Sequence, residues 1–299
     1  MVSHARTHSI SLEDHWITLD GARMRYLRDG LGPPLVLLHG LLGYSFSWRY
    51  AIPELAQNYT VHAVDMLGVG FSDRPPGLDC CLQANAKRLL RFLDAAGIVS
   101  CDLVGTSHGG AVAMRAASLA PDRIKRLVLV APVNPWSEYG SRMAEFLTRP
   151  WVTPIFRRTA PLLTFIHGRL LRNLYGDPGR IRPGTLEGYS TPFTVPGAFE
   201  YGLAVLRTWK QDLRELELSL PEIAHIPTML LWGAQDNAVD PNSAGRLQKE
   251  FADCRLQMFS GVGHLPYEEV PEEFNQAVAD FLQQDVRQAQ AMDREATWR

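Results

Sequence analysis

Apolar positions along this chain switch between two spacings, and the switches mark its elements. Residues 15–19 and 23–27 alternate around Asp20-Gly21, a dipeptide suited to a two-residue turn, so the chain is expected to open with an antiparallel hairpin. Pro33-Pro34 ends that pattern. Leu35–Leu38 then forms a continuous apolar run of the kind a strand buried on both faces needs, and further strands are expected at 59–64, 101–104, 124–130, 229–232 and 255–259. Helices are predicted over 46–57, over 80–96 with Leu82, Leu89, Leu90 and Leu93 near one face, from about Ala111 to Ala117, over 241–251 and over 271–286. Strands alternating with helices imply a mostly parallel sheet with right-handed crossovers, an α/β protein.

The rhythm breaks between about Val133 and Pro221. That stretch is rich in Trp, Phe, Leu, Arg and Pro, with short helical patches at 139–147, 162–174 and 199–218. It is expected to be a helical insertion over the end of the sheet where the functional loops gather, because the strand pattern resumes directly afterwards. The expected organisation is a core from residues 1–132, a helical cap from 133–221, and the rest of the core from 222–299. The last 13 residues read as a polar extension, and no internal repeat or low-complexity segment occurs.

A length of 299 residues with 46% hydrophobic and 21% charged side chains suffices for a large core. A net charge of -2 and a pI near 6.5 give no reason to expect nucleic acid or a membrane surface as partner. Cys80, Cys81, Cys101 and Cys254 show neither metal-binding spacing nor the density of a disulfide scaffold, so no metal and reduced thiols are expected. The first residues hold no apolar core of a secretory signal, and nowhere do 18 apolar residues run together. A cytoplasmic protein, monomeric or homodimeric, is expected.

The densest chemical signal is GTSHGG at 105–110, between the apolar run at 101–104 and a helical stretch. This is the G-x-S-x-G pattern of a nucleophile elbow, in which a strand reverses into a helix so abruptly that the apex residue is strained and its neighbours must be nearly side-chain-free. Ser107 is the predicted nucleophile, and the unpaired N–H of His108 at the helix start is a predicted oxyanion donor. The turn His39-Gly40-Leu41 would supply the second donor through the Leu41 N–H.

A serine hydroxyl needs a base, and the base needs a third group to fix its tautomer. Asp236 and His264 follow Ser107 in that order, each just past a predicted strand end. Asp240 is the alternative acid, although its place before Pro241 suits a helix cap. His39, His62, His108 and His225 are the other histidines weighed for the base, and only His264 lies in a small-residue loop after the last strand.

The stretches HGLLGYSFSW (39–48), DMLGVGFSDRP (65–75), GTSHGG (105–110), LLWGAQDNAVDP (230–241) and GVGHLPYEEVPEEF (261–274) resemble those of capped α/β-hydrolases of the serine esterase type. The resemblance implies an eight-stranded, mostly parallel sheet flanked by helices, a helical cap, and a cofactor-free Ser107-His264-Asp236 site with Leu41 and His108 as oxyanion donors. Epoxide hydrolases and haloalkane dehalogenases of the fold carry an aspartate where Ser107 stands. C–C bond hydrolases of aromatic ring-cleavage products keep the serine but usually have a Gly-rich loop after His-Gly and a Trp after the catalytic His, where this chain has Leu41-Leu42 and Leu265. The expected activity is hydrolysis of a small carboxylic ester with a short- to medium-chain or otherwise apolar acyl or alcohol group. A C–C hydrolase, lyase or perhydrolase on the same triad, and a slowly turning-over ligand receptor, stay open. Trp136, Phe146, Trp151, Phe156, Phe165, Phe193, Phe199 and Trp209 are the aromatics from which the cap could line such a pocket.

Overall fold

The alternating segments at the N-terminal end pair as β1 (Glu13–Leu19) and β2 (Ala22–Asp29), joined by Asp20 and Gly21 at φ 50° and 80°. Two consecutive positive φ angles match the right-handed twist of the flanking strands. In this computed structural model, which describes residues 13–137, 141–159 and 164–283, six parallel strands follow. They are β3 (Pro34–Leu38), β4 (Thr60–Val64), β5 (Cys101–Thr106), β6 (Ile124–Val130), β7 (Thr228–Gly233) and β8 (Cys254–Phe259). The sheet has eight strands in the order β1-β2-β4-β3-β5-β6-β7-β8, with β1 and β2 antiparallel. This is the α/β-hydrolase fold, an eight-stranded, mostly parallel sheet flanked by helices.

The helices are α1 (Ile52–Leu55), α2 (Leu82–Ala95), α3 (His108–Leu119), α4 (Ser141–Leu147), α5 (Val152–Thr159), α6 (Thr164–Leu174), α7 (Thr185–Ser190), α8 (Glu200–Ser219), α9 (Ala244–Gln248), α10 (Pro266–Glu269) and α11 (Pro271–Leu282). Both sheet faces are covered, which explains the unbroken apolar runs. Val36 and Leu38 join one apolar cluster with Leu89 and Phe92 of α2 and Met114 of α3. Leu35 and Leu37 point the other way, into a cluster with Trp48, Phe274 and Val278.

Two predicted helices are shorter than their patterns. The span 46–57 divides into a 3₁₀ turn at Ser45–Trp48 and the single turn of α1, because Pro53 has no N–H to continue a ladder from Arg49. The span 241–251 is a 3₁₀ turn capped by Asp240 followed by α9. The 271–286 helix is described to Leu282, and the polar tail from Gln284 onward, the first 12 residues and the beginnings of the 139–147 and 162–174 patches lie outside the described residues.

From α4 to α8 the chain runs between β6 and β7, and its described residues there add no strand. It touches the loops at the C-terminal ends of β3 and β4. Tyr44 Oη donates to the Gly188 carbonyl at 2.7 Å, and Gly202 lies against Leu42. Helix α8 also feeds Tyr201, Val205 and Leu216 into the cluster under α2 and α3.

Candidate active site

Strands β4 and β5 lie on opposite sides of β3, so the sheet changes direction there, and in open parallel sheets the crevice beyond such a point is where functional loops meet. The loops after β3 and β5 carry His39-Gly40-Leu41 and Ser107. They touch: a Cβ added to Gly40 would sit 3.6 Å from Ser107 Oγ.

Ser107 occupies φ 53°, ψ -123°, a conformation that costs a non-glycine residue about 1–3 kcal/mol. The surroundings hold it there. Its N–H donates to the Val130 carbonyl at 2.9 Å, and its carbonyl accepts from Gly110 and Val133. The two flanking glycines are required by close approach. A Cβ on Gly105 would sit 2.5 Å from the Gly109 carbonyl oxygen, and one on Gly109 would sit 2.3 Å from that of His39. Ser107 is left half-buried at the start of α3.

The N–H groups of His108 and Leu41 have no backbone or side-chain acceptor among the described residues. His39 secures the turn that carries Leu41. Its Nε2 accepts the Met66 N–H at 3.1 Å, so Nδ1 carries the proton and donates to the Gly40 carbonyl at 2.8 Å. Burial pushes the His39 imidazole below its ordinary range, which keeps it neutral in this role. The His108 ring stacks on Trp209, with centroids 6.5 Å apart at 20°, and meets Tyr201 edge-on. Burial, with a smaller contribution from His39, brings it down to about 4. A neutral imidazole packed among aromatic rings leaves the backbone N–H as the polar group His108 has to offer.

Asp236 lies past β7 and His264 past β8. His264 Nδ1 is 2.8 Å from Asp236 Oδ2, and both side chains are buried. The other carboxylate oxygen, Oδ1, accepts the N–H groups of Ala238 at 2.7 Å and Val239 at 3.0 Å. With the carboxylate an acceptor only, Nδ1 must carry the imidazole proton and Nε2 is left as an acceptor. Asp240 is spent elsewhere, with its Oδ1 accepting the N–H of Asn242 at 2.9 Å.

The loop that bears His264 packs into the core beside the strands that flank the Ser107 turn. Leu265 and Tyr267 pack in the same cluster as Val104 of β5 and Val130 of β6. The hydrogen bonds among the described residues include the link from Asp236 to His264 and not one from Ser107 Oγ to His264. In unliganded sites this second contact is often long and tightens when substrate binds.

Among the aromatics of the 133–221 stretch, Trp209 lies beside the site through His108, while Phe193 and Phe199 stack on each other and Phe156 meets Phe199 edge-on. Phe146 and Trp151 are exposed, and the Phe165 side chain lies outside the described residues. Two features were not read from the sequence. One is the strut role of His39, whose signal is a histidine ending a strand before Gly40. The other is the acidic pair Glu268-Glu269 directly after the His264 loop, both buried.

A sequence profile of the alpha/beta hydrolase fold family matches residues 33–150. The chain is 29% identical over 274 residues to a 2-hydroxymuconate semialdehyde hydrolase of Pseudomonas sp. (strain CF600), covering 88% of this chain and 91% of that protein. It is 28% identical over 268 residues to a 2-hydroxy-6-oxo-2,4-heptadienoate hydrolase of Pseudomonas putida, covering 85% and 90%. Among solved structures, a meta-cleavage product hydrolase from Pseudomonas fluorescens IP01 superposes with a TM-score of 0.76 at 24% identity over 91% of this chain and 98% of that one. At that identity the likeness concerns the fold.

Proposed function

The chain belongs to the α/β-hydrolase fold family, and from that premise we propose that it is a serine hydrolase that cleaves small carboxylic esters through an acyl-enzyme. Ser107 is its nucleophile, His264 its general base and Asp236 the carboxylate that orients the base. The observation that carries the reading is the hydrogen bond from His264 Nδ1 to Asp236 Oδ2, because it leaves Nε2 free to accept a proton. A histidine serving only to pack the core would gain nothing from a buried carboxylate.

The steps follow from those positions. Nε2 takes the Ser107 proton as Oγ attacks the ester carbonyl, and the oxyanion that forms meets the Leu41 and His108 N–H groups. Each donor contributes about 3 kcal/mol in comparable sites. His264 then gives its proton to the departing alkoxide, leaving Ser107 acylated. A water molecule, deprotonated by the same nitrogen, attacks the acyl carbonyl, and collapse releases the acid and restores Ser107. The segment from Val133 to Pro221 acts as a cap, with Trp209 among the groups that shape the acyl or alcohol pocket. Apolar esters of short to medium chain length fit a site bordered by Leu41, Leu42, Tyr201 and Trp209.

A second reading, hydrolysis of a C–C bond in a ring-cleavage dienoate on the same triad, is supported by the names of the two relatives. Against it stands Leu265 where such enzymes usually have Trp. Steady-state assays with p-nitrophenyl acetate, butyrate and octanoate, set beside a dienoate, separate the two. Ser107→Ala should lower kcat on the preferred substrate by about 10⁴ or more. Undiminished turnover by that variant would remove Ser107 from the mechanism.

A further inference from the structure

The segment after His264 holds two adjacent carboxylates that the chemistry above does not use. Glu268 and Glu269 are 2% and 6% exposed. Both face the 133–221 insertion. Glu268 pairs with Arg49 and accepts hydroxyl protons from Tyr189 at 2.7 Å and Tyr175 at 3.3 Å. Glu269 makes a more consequential set of contacts. It accepts the backbone N–H groups of Gly176 at 3.0 Å, Asp177 at 3.1 Å and Gly263 at 2.7 Å, with Arg180 Nη1 3.7 Å away.

Gly263 is the residue before His264, and the N–H of His264 itself donates to the Leu174 carbonyl at 2.7 Å. The backbone that carries the base is therefore held by the 174–177 segment at two successive residues, once directly and once through a shared carboxylate. The two segments approach so closely that neither tolerates a side chain. A Cβ on Gly263 would sit 2.4 Å from the Leu174 carbonyl oxygen, and one on Gly176 would sit 2.7 Å from the Val262 carbonyl carbon. Arg180 adds a bond to the Gly261 carbonyl at 3.1 Å, at the other end of the same loop.

We propose that Glu269 is a positioning residue, its carboxylate joining Gly263 to Gly176 and Asp177 so that His264 reaches its proton-transfer position only while the 174–177 segment is seated. This rests on the serine hydrolase reading. The insertion then shapes the pocket and also sets the base, so displacing its 174–177 segment slows proton transfer to His264.

Glu269→Gln tests the assignment. Three N–H donors converge on two carboxylate oxygens, and an amide offers one acceptor and one NH₂, so at least one donor must face another donor. The readouts are kcat and KM on the best ester, the rate of Ser107 phosphonylation by a fluorophosphonate, the downfield proton resonance of the His264–Asp236 pair, and the thermal midpoint. The expected result is a fall of about tenfold to a hundredfold in kcat and in phosphonylation rate, with little change in KM and a weakened downfield resonance. A lowered midpoint with unchanged kcat, phosphonylation and resonance overturns the proposal, since Glu269 would then only stabilise the fold. Should the Gln variant not fold, Glu269→Asp keeps the charge and withdraws it by one methylene. Slowed phosphonylation in that variant supports the assignment, and the wild-type rate sinks it. Wild-type protein that resists the phosphonate would overturn the serine hydrolase reading and this inference together, whereas equal labelling of wild type and variants overturns this inference alone.

Discussion

Replacing Asp236 with Asn tests the tautomer on which the mechanism turns. The substitution is nearly isosteric, so the question is which way the new amide points. Oδ1 of Asp236 receives two backbone N–H groups, from Ala238 and Val239, while Oδ2 receives one proton from His264. The amide oxygen should therefore face the two backbone donors. Reversing it would forfeit both bonds and set an NH₂ against two N–H groups, a cost of about 2–3 kcal/mol. In the favoured orientation the NH₂ faces His264 Nδ1, which must then become the acceptor. The imidazole proton moves to Nε2, and the base can no longer take the Ser107 proton. The expected loss in kcat is about 10⁴, or about 5 kcal/mol in activation free energy. The assay is p-nitrophenyl butyrate turnover at pH 7.5, with circular dichroism to show that the fold is kept. A kcat within tenfold of wild type in a folded Asp236→Asn variant would refute the reasoning.

Other expectations follow from particular contacts. Gly109→Ala would bring a Cβ to 2.3 Å from the His39 carbonyl oxygen and 2.8 Å from that of Leu38. The backbone must shift, so urea denaturation should show a loss of about 2 kcal/mol or more, and kcat should fall because the same turn carries the Leu41 N–H. Arg49→Met leaves the Glu268 carboxylate buried without its guanidinium and should destabilise by about 3–5 kcal/mol in the same measurement. The pH dependence of stability should carry the signature of His108, brought by burial from 6.5 to about 4. Between those values the unfolded chain binds the extra proton, so the contribution is complete above about pH 6.5 and is lost as pH falls toward 4. By pH 5 the loss is about 2 kcal/mol, and His108→Phe should remove that part of the slope. Parallel curves for wild type and variant between pH 7.5 and 5 would contradict it.

Local physics made much of this protein legible in its sequence. Runs such as Leu35–Leu38 and Met229–Trp232 suit strands covered on both faces, and Asp20-Gly21 between alternating segments specified its turn. Gly105 and Gly109 around Ser107 declared a tight strand-to-helix reversal, because near neighbours in the chain decide that geometry. Backbone hydrogen bonding, side-chain size and hydrophobic period act over a few residues, so a reader of the sequence has access to them.

Contacts between distant segments were decided only by the tertiary structure. Asp236 and Asp240 stand four residues apart in the same turn-forming stretch, and the position of His264, 28 residues beyond Asp236, makes one the partner of the imidazole and leaves the other a cap. His39 is one of nine histidines until the Met66 N–H, 27 residues away, fixes its tautomer. Glu269 is one acid of PYEE without an assigned partner until the fold lays Gly176 against it from 93 residues upstream. The worth of a buried polar group lies in its partner and in the water it has lost, and both are supplied by chain closure over long loops, which composition and periodicity do not encode.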